Sequence, residues 1–386
     1  MKILSVDVGT GTQDIFLYDS RLDLENGFKL IVPSPTMKVH RRLKEATRRG
    51  EAVLLTGVIM GGGPSQWAAE EHVRAGFPVY ATPEAARSFN DDLEVVREMG
   101  IVVLSEDEAA RLPEATQRVE LRDFDFSAIV GVLGQFGVVL DDLAAVAVAV
   151  FDHGNAPPDY SDRQFRFDYL DERIRAENRL SAFAYPAGEV PEIMTRLQAV
   201  VDTAQDVDVP LVVMDTAPAA ILGATFDLQV AAAPRKLIAN VGNFHTLAFR
   251  LGPGGIEGVF EHHTGLLDLP KLENLLRMLV DGSLKHADVF SDHGHGALIY
   301  EPEPLSLVGE HLSGGGFGVA VTGPRRSLMR ASSLHPYFAV PFGDMMISGC
   351  FGLLAAVADV LPELGEQIRA SLNGAGGSGT PPWEIE

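Results

Sequence analysis

The sequence has little cysteine and little positive charge. Its one cysteine, Cys350, permits neither an intramolecular disulfide nor a cysteine-ligated iron–sulfur cluster, and this is typical of a reducing cytoplasm. The formal net charge is −22, which argues against the basic stripe that nucleic acids and anionic membranes require. We therefore expect neither a nucleic acid nor a membrane as a partner.

Long hydrophobic runs are also missing. The most apolar stretches are residues 128–140 and 345–358, and both are shorter than the roughly 18 to 20 residues of a membrane-spanning helix. The apolar run at residues 1–6 is interrupted at Asp7 before a signal-peptide core can form. We expect the two apolar stretches to be buried core elements and the chain to be cytoplasmic.

Length and composition favour a globular protein with several lobes. At 386 residues, the chain exceeds the roughly 150 residues of a common domain, so two or three lobes are expected. Hydrophobic residues make up 46% and charged residues 22% of the chain. These values are near the globular average and permit a large buried core.

The order of predicted elements indicates an α/β fold. Strands at 2–8, 13–18 and 28–32 form a predicted meander, and helices alternate with strands from about residue 37 onward. The alternation predicts a mainly parallel sheet in an inserted α/β region at about 33–125. Within that region, the polar segment 106–125 is interpreted as a loop or surface excursion.

The beginning of the chain has an echo in its second half. Residues 237–246 repeat the strand, glycine turn and strand of residues 4–12, and this repetition indicates an internal duplication. The predicted divisions are a first lobe at 1–230, a second lobe at 231–342, a connecting helix at 343–372 that returns to the first lobe, and a flexible tail at 373–386.

The first strand ends in a candidate magnesium and phosphate site. Asp7 ends a buried strand, where an unpaired carboxylate is costly unless a cation or hydrogen bonds satisfy it. Gly9, Thr10, Gly11 and Thr12 then offer bare backbone N–H groups and two hydroxyls at one turn. A carboxylate beside such an anion-sized nest is what a magnesium–phosphate site requires. The plainer alternative is a tight hairpin turn without a ligand.

Four later segments favour the nucleotide-site interpretation, because two facing hairpins can grip a polyphosphate from both sides. They are the second hairpin at 240–246, a strand and small-residue helix at 212–220, a glycine-rich segment at 313–325, and an apolar helix with spaced glycines at 343–352.

In this order, the five elements resemble the phosphate-one, connect-one, phosphate-two, adenosine and connect-two motifs of the ASKHA superfamily of acetate and sugar kinases, heat-shock chaperone ATPases and actin. Residues 146–165 also resemble a region of the chaperones, through Ser161-Asp162-Arg163-Gln164. The resemblance implies a two-lobed actin-like ATPase (ribonuclease H-like) fold that binds ATP and Mg²⁺ in the cleft between its lobes.

More narrowly, the N-terminus and the segment Asp-Thr-Ala-Pro-Ala-Ala at 215–220 resemble a prokaryotic family labelled pyruvate formate-lyase activating enzyme-related. That label implies a radical enzyme with a three-cysteine cluster motif. A single cysteine excludes that chemistry here.

The superfamily resemblance also implies roles for individual residues. Asp7 would orient magnesium, with Asn240 at the matching position of the second hairpin, and Asp215 would activate water or a substrate hydroxyl. The implied nucleotide contacts are Gly9, Thr10, Gly11, Thr12, Gly242, Thr246, Gly314, Gly315, Gly316, Gly318 and Gly323. Asn240 departs from the superfamily pattern, which has Asp there, and an amide cannot share the charge of magnesium as a carboxylate does.

Two further segments have open interpretations. Residues 56–64 form either a second anion site or a βα turn that needs glycine for its backbone angles. His153, after a predicted strand, is either a general base or, with more weight, a hydrogen-bonded loop residue, and we expect it to face the same cleft as Asp215.

The histidines are concentrated late in the chain, with eight of eleven between His245 and His335. His262 and His263 are adjacent on a predicted strand, point to opposite faces and cannot easily bind one ion. The His-Gly-His loop at 293–295, with Asp292, could bind a metal, but substrate contact or surface exposure is the favoured interpretation.

These predictions favour an ATP-dependent enzyme that transfers phosphate to a small metabolite or uses ATP hydrolysis to drive a condensation. The alternatives are a nucleotide-switched binding protein and a degenerate fold member without ATP turnover, which Asn240 keeps open. The inserted region is expected to determine specificity, but its residues indicate neither the substrate nor the oligomeric state.

Overall fold

A computed structural model describes residues 1–305, 317–374, 379 and 381–384. The predicted adenosine contacts Gly314, Gly315 and Gly316 lie outside these residues.

Sixteen strands, β1 to β16, lie in the described part of the chain. They are β1 (Lys2–Val8), β2 (Thr12–Asp19), β3 (Phe28–Pro33), β4 (Val53–Gly57), β5 (Val79–Ala81), β6 (Val102–Val103), β7 (Gln117–Leu121), β8 (Leu143–Val150), β9 (Ala184–Pro186), β10 (Leu211–Asp215), β11 (Lys236–Val241), β12 (His245–Gly252), β13 (Gly255–His263), β14 (Gly296–Ile299), β15 (Val319–Thr322) and β16 (Pro336–Phe338).

Fourteen α-helices, α1 to α14, accompany the strands in the same residues. They are α1 (Pro35–Arg49), α2 (Pro64–Arg74), α3 (Pro83–Ala86), α4 (Leu93–Glu98), α5 (Glu106–Ala110), α6 (Phe126–Gln135), α7 (Asp162–Ala176), α8 (Thr195–Asp202), α9 (Thr216–Ala224), α10 (Leu228–Ala232), α11 (Leu269–Asp281), α12 (His286–Phe290), α13 (Ser348–Val360) and α14 (Pro362–Leu372). None of them combines the length and hydropathy needed to cross a bilayer.

Helix α1 illustrates how local sequence sets the ends of an element. It begins after Ser34, whose side-chain oxygen accepts a hydrogen bond from the Met37 N–H, and this satisfies one of the free amides of the first turn. It ends at Gly50, which has a φ of 68°, a left-handed conformation that glycine adopts without steric cost. Val39, Leu43 and Ala46 are buried at the spacing of one helical face.

Five strands of each large sheet have the same order and the same pairing directions. In the first, β3, β2 and β1 form an antiparallel meander, and β8 and β10 continue it in parallel. In the second, β13, β12 and β11 form the meander, and β15 and β16 continue it in parallel. The sixth strands pair antiparallel at opposite edges of this order, β9 beside β10 and β14 beside β13. This repeated order confirms the predicted duplicated, ribonuclease H-like fold of two-lobed actin-like proteins.

The inserted region forms a third sheet, parallel throughout, in the order β6-β5-β4-β7. The interpretation of residues 106–125 as a loop or surface excursion is wrong, because this segment contains α5 and β7. In β7, Val119 and Leu121 are buried while Arg118 and Glu120 are exposed. The segment is polar because alternate side chains face solvent, as in any strand with one covered face.

Helices α9 and α13 are packed backbone to backbone beside the first sheet. A Cβ atom on Gly352 of α13 would overlap the Ala219 carbonyl, and one on Gly223 of α9 would overlap the Ser348 carbonyl. Phe351 of α13 contacts Phe16 of β2 with ring centroids 5.3 Å apart. The glycines of this helix pair are therefore required by the close approach of the two backbones.

Candidate functional site

A cleft of about 410 Å³ lies where the two large sheets meet the inserted region. The segments that line it include the turn between β1 and β2, the loop before α2, the turn between β11 and β12, and the start of α13. A Cβ atom on Gly11 would overlap the Asn243 side chain, so the two turns approach each other across this space.

The two turns have equivalent backbone geometry. The Gly9 N–H donates to the Thr12 carbonyl at 2.9 Å, and the Gly242 N–H donates to the His245 carbonyl at 3.0 Å. Thr12 is therefore matched by His245 in the duplication. Thr246, the predicted phosphate contact, lies one position further on.

Two carboxylates lie together beneath the first turn. Asp7 and Asp14 are paired across the β1–β2 ladder, and both are buried residues that line the cleft. Burial raises the pKa of Asp7 to about 6 and that of Asp14 to about 8, and the charge of Asp7 adds to the rise at Asp14. Thr216 donates to Asp7 Oδ1 at 2.6 Å, and a Cβ atom on Gly349 would overlap Asp7 Oδ2.

These residues fit a magnesium ion. Asp14 Oδ1 is buried and has no hydrogen-bond partner. Neither Asp7 nor Asp14 forms an ion pair within the described residues. Carboxylate oxygens are the protein ligands that Mg²⁺ prefers, and a cation between the two would satisfy the free oxygen.

The second turn lacks such a pair. Asn240 lines the cleft at the position of Asp7, and Leu247 occupies the position of Asp14. Gly323 also lines the cleft, with a φ of 94°, and a Cβ atom there would overlap Asn240 Oδ1. The carboxylates beneath the two turns therefore come from the first sheet.

Most of the predicted nucleotide contacts in the described residues line the cleft. Those that do are Gly9, Thr10, Thr12, Gly242 and Gly323. Gly11 lines a smaller adjoining pocket. Thr246 is buried, with its hydroxyl 2.9 Å from that of Thr264, and the Gly318 N–H donates to the His335 carbonyl. Neither residue belongs to the cleft lining.

Asp215 does not line the cleft, contrary to the sequence-based expectation. One oxygen, Oδ2, accepts from Arg166 Nη1 at 2.6 Å, and the other accepts from the Ala217 N–H at 2.9 Å, which caps α9. Arg166 also donates from Nε to Glu261 Oε2 at 2.8 Å, and all three residues are buried. The side chain is thus committed to an ion pair and a helix cap, while the next residue, Thr216, lines the cleft.

Asp152 and His153 follow β8 and line the cleft. The Asp152 carboxylate accepts from the backbone N–H groups of Gly154, Arg196 and Leu197, so it anchors the start of α8. His153 lines the cleft, and its Nε2 lies 3.0 Å from Nε2 of His295. Burial, with the nearby guanidinium of Arg166, lowers the pKa of His153 to about 3, which makes the ring neutral.

The His-Gly-His loop does not place its two histidines together. His293 is exposed with a φ of 64°, whereas His295 is buried and joins His153 and His245. His263 packs against this group, with ring centroids 4.7 Å from His295 and 5.2 Å from His245. The neighbouring His262 instead contacts Asp292, at 3.3 Å, as expected for adjacent residues on a strand.

Sequence reasoning missed this histidine group because its members come from distant segments. His153 and His295 are 142 residues apart. The available signal was the internal repeat, since aligning the two hairpins places His245 opposite Thr12 in the turn that faces the cleft.

The inserted region contributes the third wall of the cleft. The glycine segment at 61–63 lines it beside Asp91 and Asp162. Burial and the charge of Asp162 raise the pKa of Asp91 to about 6. Arg196 donates to both oxygens of Asp123 and to the Phe151 carbonyl. The guanidinium that borders the glycine segment is therefore already paired.

Comparisons with solved structures give low similarity over nearly the whole chain. It is similar to the activator of the 2-hydroxyisocaproyl-CoA dehydratase from Clostridium difficile with bound ADPNP, at 11% identity and a TM-score of 0.34, covering 95% of this chain and 98% of that chain. It is also similar to a ROK hexokinase from Thermus thermophilus, at 11% identity and a TM-score of 0.29, covering 92% and 100%. At these scores, the fold assignment rests on the strand order described above.

A search of curated proteins finds no match. The sequence model of one family, described as "Putative pyruvate format-lyase activating enzyme (DUF1786)", matches residues 60–328. These residues include Asp215 and the histidine group but begin after the first hairpin. The single Cys350 is buried, so the three-cysteine chemistry that the description implies is excluded. Because the match covers more than half of the sequence, the chain belongs to the DUF1786 family.

Proposed function

We propose that the chain binds Mg²⁺ and ATP in its cleft and uses the nucleotide to phosphorylate a small metabolite or to drive a condensation. The observation that most supports this is the pair of facing, equivalent hairpin turns, with Asp7 and Asp14 beneath the first. Phosphoryl transfer needs positioning and charge stabilisation more than covalent chemistry from the protein, and this arrangement offers both.

Within this proposal, the residues around the two turns have separate roles. Asp7 and Asp14 hold the ion, and the Thr216 hydroxyl fixes the orientation of Asp7. The backbone N–H groups of the two turns bind phosphate oxygens. Magnesium, when bound, neutralises charge that develops on the phosphates.

The two residues predicted to accept a proton are poorly placed for that task. Asp215 is held by Arg166 and the Ala217 N–H, and His153 faces His295 and is a weak base. We therefore propose that Asp215 is a positioning residue that fixes Arg166. Catalysis then depends on how the site positions the phosphates and on how it stabilises their charge.

A second candidate function is nucleotide binding without turnover. It is favoured by Asn240, which replaces a carboxylate at the second turn, and by the engagement of Asp215. In that case, ATP would close the lobes around a partner or small molecule and would not be hydrolysed. Turnover by the wild-type protein separates the two candidates.

A thermal-shift screen with ATP, ADP and small metabolites, with and without Mg²⁺, tests the proposal. Ligand at 100 times its Kd adds roughly 2.7 kcal/mol to stability, so Mg-ATP is expected to raise the Tm by several degrees. Asp7→Asn should remove the magnesium-dependent part of the shift. The exposed Asp208, replaced by Asn, is the matched control and should keep it. An unchanged wild-type Tm in every nucleotide would contradict the proposal.

A further inference from the structure

Three histidines from separate segments converge beside the cleft. His153 follows β8 of the first sheet, His245 begins β12, and His295 precedes β14 of the second sheet. One ring nitrogen of each lies within 4.8 Å of those of the others, and among the described residues this is the group with metal-ligand geometry. His153 and His245 line the cleft.

The spacing of the nitrogens suits one small ion. With metal–nitrogen bonds of 2.0 to 2.1 Å, tetrahedral ligands lie on the order of 3.3 Å apart. His153 Nε2 and His295 Nε2 are 3.0 Å apart. The third nitrogen, from His245, lies within 4.8 Å of the other two.

The histidine group and its neighbour Glu261 contain buried polar atoms without hydrogen-bond partners. His245 Nε2, His295 Nδ1 and Glu261 Oε1 have no hydrogen-bond partner. A lone pair of a buried imidazole is costly without a donor or a cation. Binding a metal would use the lone pair of His245.

Glu261 is placed to orient His295. Its Oε1 lies 3.5 Å from His295 Nδ1, so His295 Nε2 is free for a metal while Nδ1–H faces the carboxylate. This carboxylate–histidine arrangement is the usual outer-shell partner of metal-bound imidazoles. Arg166 donates to both Glu261 and Asp215, which fixes the Glu261 carboxylate behind His295.

We propose that His153, His245 and His295 bind one divalent transition-metal ion of the zinc class, with a coordination position open to the cleft. Three imidazoles with an open fourth position suit Zn²⁺ or Co²⁺, whereas Mg²⁺ prefers oxygen ligands. This site is therefore separate from the Asp7 and Asp14 pair and does not depend on nucleotide binding. The open position accepts water or an anionic oxygen of a bound molecule.

The site also connects the two large sheets, since His153 belongs to the first and the other two ligands to the second. A bound ion is then expected to stabilise the folded chain by mass action. The alternative occupant is a proton, in an N–H···N hydrogen bond between His153 and His295.

Metal titration of the full chain, purified without a histidine tag and dialysed against a chelator, tests the proposal. Zn²⁺ and Co²⁺ are added in the absence of nucleotide. The expected result is one ion per chain, a visible absorption band of tetrahedral Co²⁺, and a higher Tm.

Single His153→Gln and His245→Gln variants should weaken binding by at least roughly 100-fold, and Glu261→Gln by roughly 10- to 100-fold. His263→Gln is the matched control, because His263 contacts the group without belonging to it, and it should bind as the wild type does. Circular dichroism checks that each variant folds. No metal binding by the wild type, or binding that all three variants preserve, would overturn the proposal.

Discussion

At the residue scale, one buried guanidinium lies between two buried carboxyl groups behind the cleft. Arg166 donates to both Asp215 and Glu261. Burial raises the pKa of Glu261 to about 7, although Arg166 opposes the rise. All three side chains are buried, so the ion pair between Arg166 and Asp215 is expected to contribute to the stability of the core.

Replacement of Asp215 by Asn tests this structural role. The amide keeps the size of the side chain but weakens the bond to Arg166, so we expect a loss of roughly 1 to 3 kcal/mol in the free energy of unfolding. Urea denaturation measures it, with Asp208→Asn as an exposed control. Unchanged stability together with abolished ATP turnover would instead favour Asp215 as the proton acceptor.

Asp91 gives a pH dependence whose sign is fixed by its surroundings. Burial, with the charges of Asp162 and Asp152, raises the pKa of Asp91 to about 6, although Arg87 opposes the rise. The folded chain holds this proton more tightly than the unfolded chain. The contribution of Asp91 to the free energy of unfolding is therefore fully present below pH 4 and is lost as the pH rises through 6. Asp91→Asn should show a smaller fall in Tm between pH 5 and pH 7, whereas Glu98→Gln, an exposed control, should match the wild type. Parallel curves for all three proteins would contradict the assignment.

Residues that act through neighbours in sequence could be predicted, and those that act across the chain could not. Asp7 and the turn at 9–12 are contiguous, so strand burial and glycine spacing sufficed. Asp14 was missed although it is nearby, because its importance comes from pairing with Asp7 across the ladder. Arg166 meets Glu261 over 95 residues, and no local pattern records such a contact.

At the scale of elements, the helix pair α9 and α13 contacts the Asp7 carboxylate from both helices. Gly349 and Gly352 are two of the spaced glycines that the sequence shows in the apolar segment 343–352. Gly352 allows the close contact with α9, but a Cβ atom on Gly349 would overlap Asp7 Oδ2. Gly349 therefore makes room for the carboxylate.

The Gly349→Ala substitution should displace Asp7 and destabilise the fold by roughly 1 to 3 kcal/mol, with loss of the magnesium-dependent thermal shift. The control is Gly131→Ala on α6, where a Cβ atom meets nothing within 4 Å. That change should add roughly 0.5 to 1 kcal/mol, because alanine favours the helix. Urea unfolding of both variants checks the pair, and an unaffected Gly349→Ala protein would argue against the role of Gly349.

Element predictions succeeded where the hydrophobic period was clear. The strands of the first meander lie within one residue of their predicted ends. Strand β7 was missed because five residues with alternating polarity were taken for a polar loop. Short strands depend on their sheet neighbours for stability, which their own composition does not reveal.

At the scale of the whole molecule, the duplication explains why two equivalent turns with different side chains face each other across one cleft. Both halves supply the same turn, but the second has Asn240 and Leu247 where the first has Asp7 and Asp14, and His245 where the first has Thr12. The strand order of the two sheets followed from the repeat in sequence. The histidine group did not, because it forms where the two halves meet.

Isothermal titration of the wild-type chain with ATP, in the presence and absence of Mg²⁺, tests the central claim most directly. The account predicts one nucleotide per chain, with affinity that falls at least tenfold, on the order of 1.4 kcal/mol, when magnesium is withheld. Asp7→Asn should bind equally weakly in both buffers. A wild-type chain that takes up no ATP or ADP in either buffer would contradict the claim.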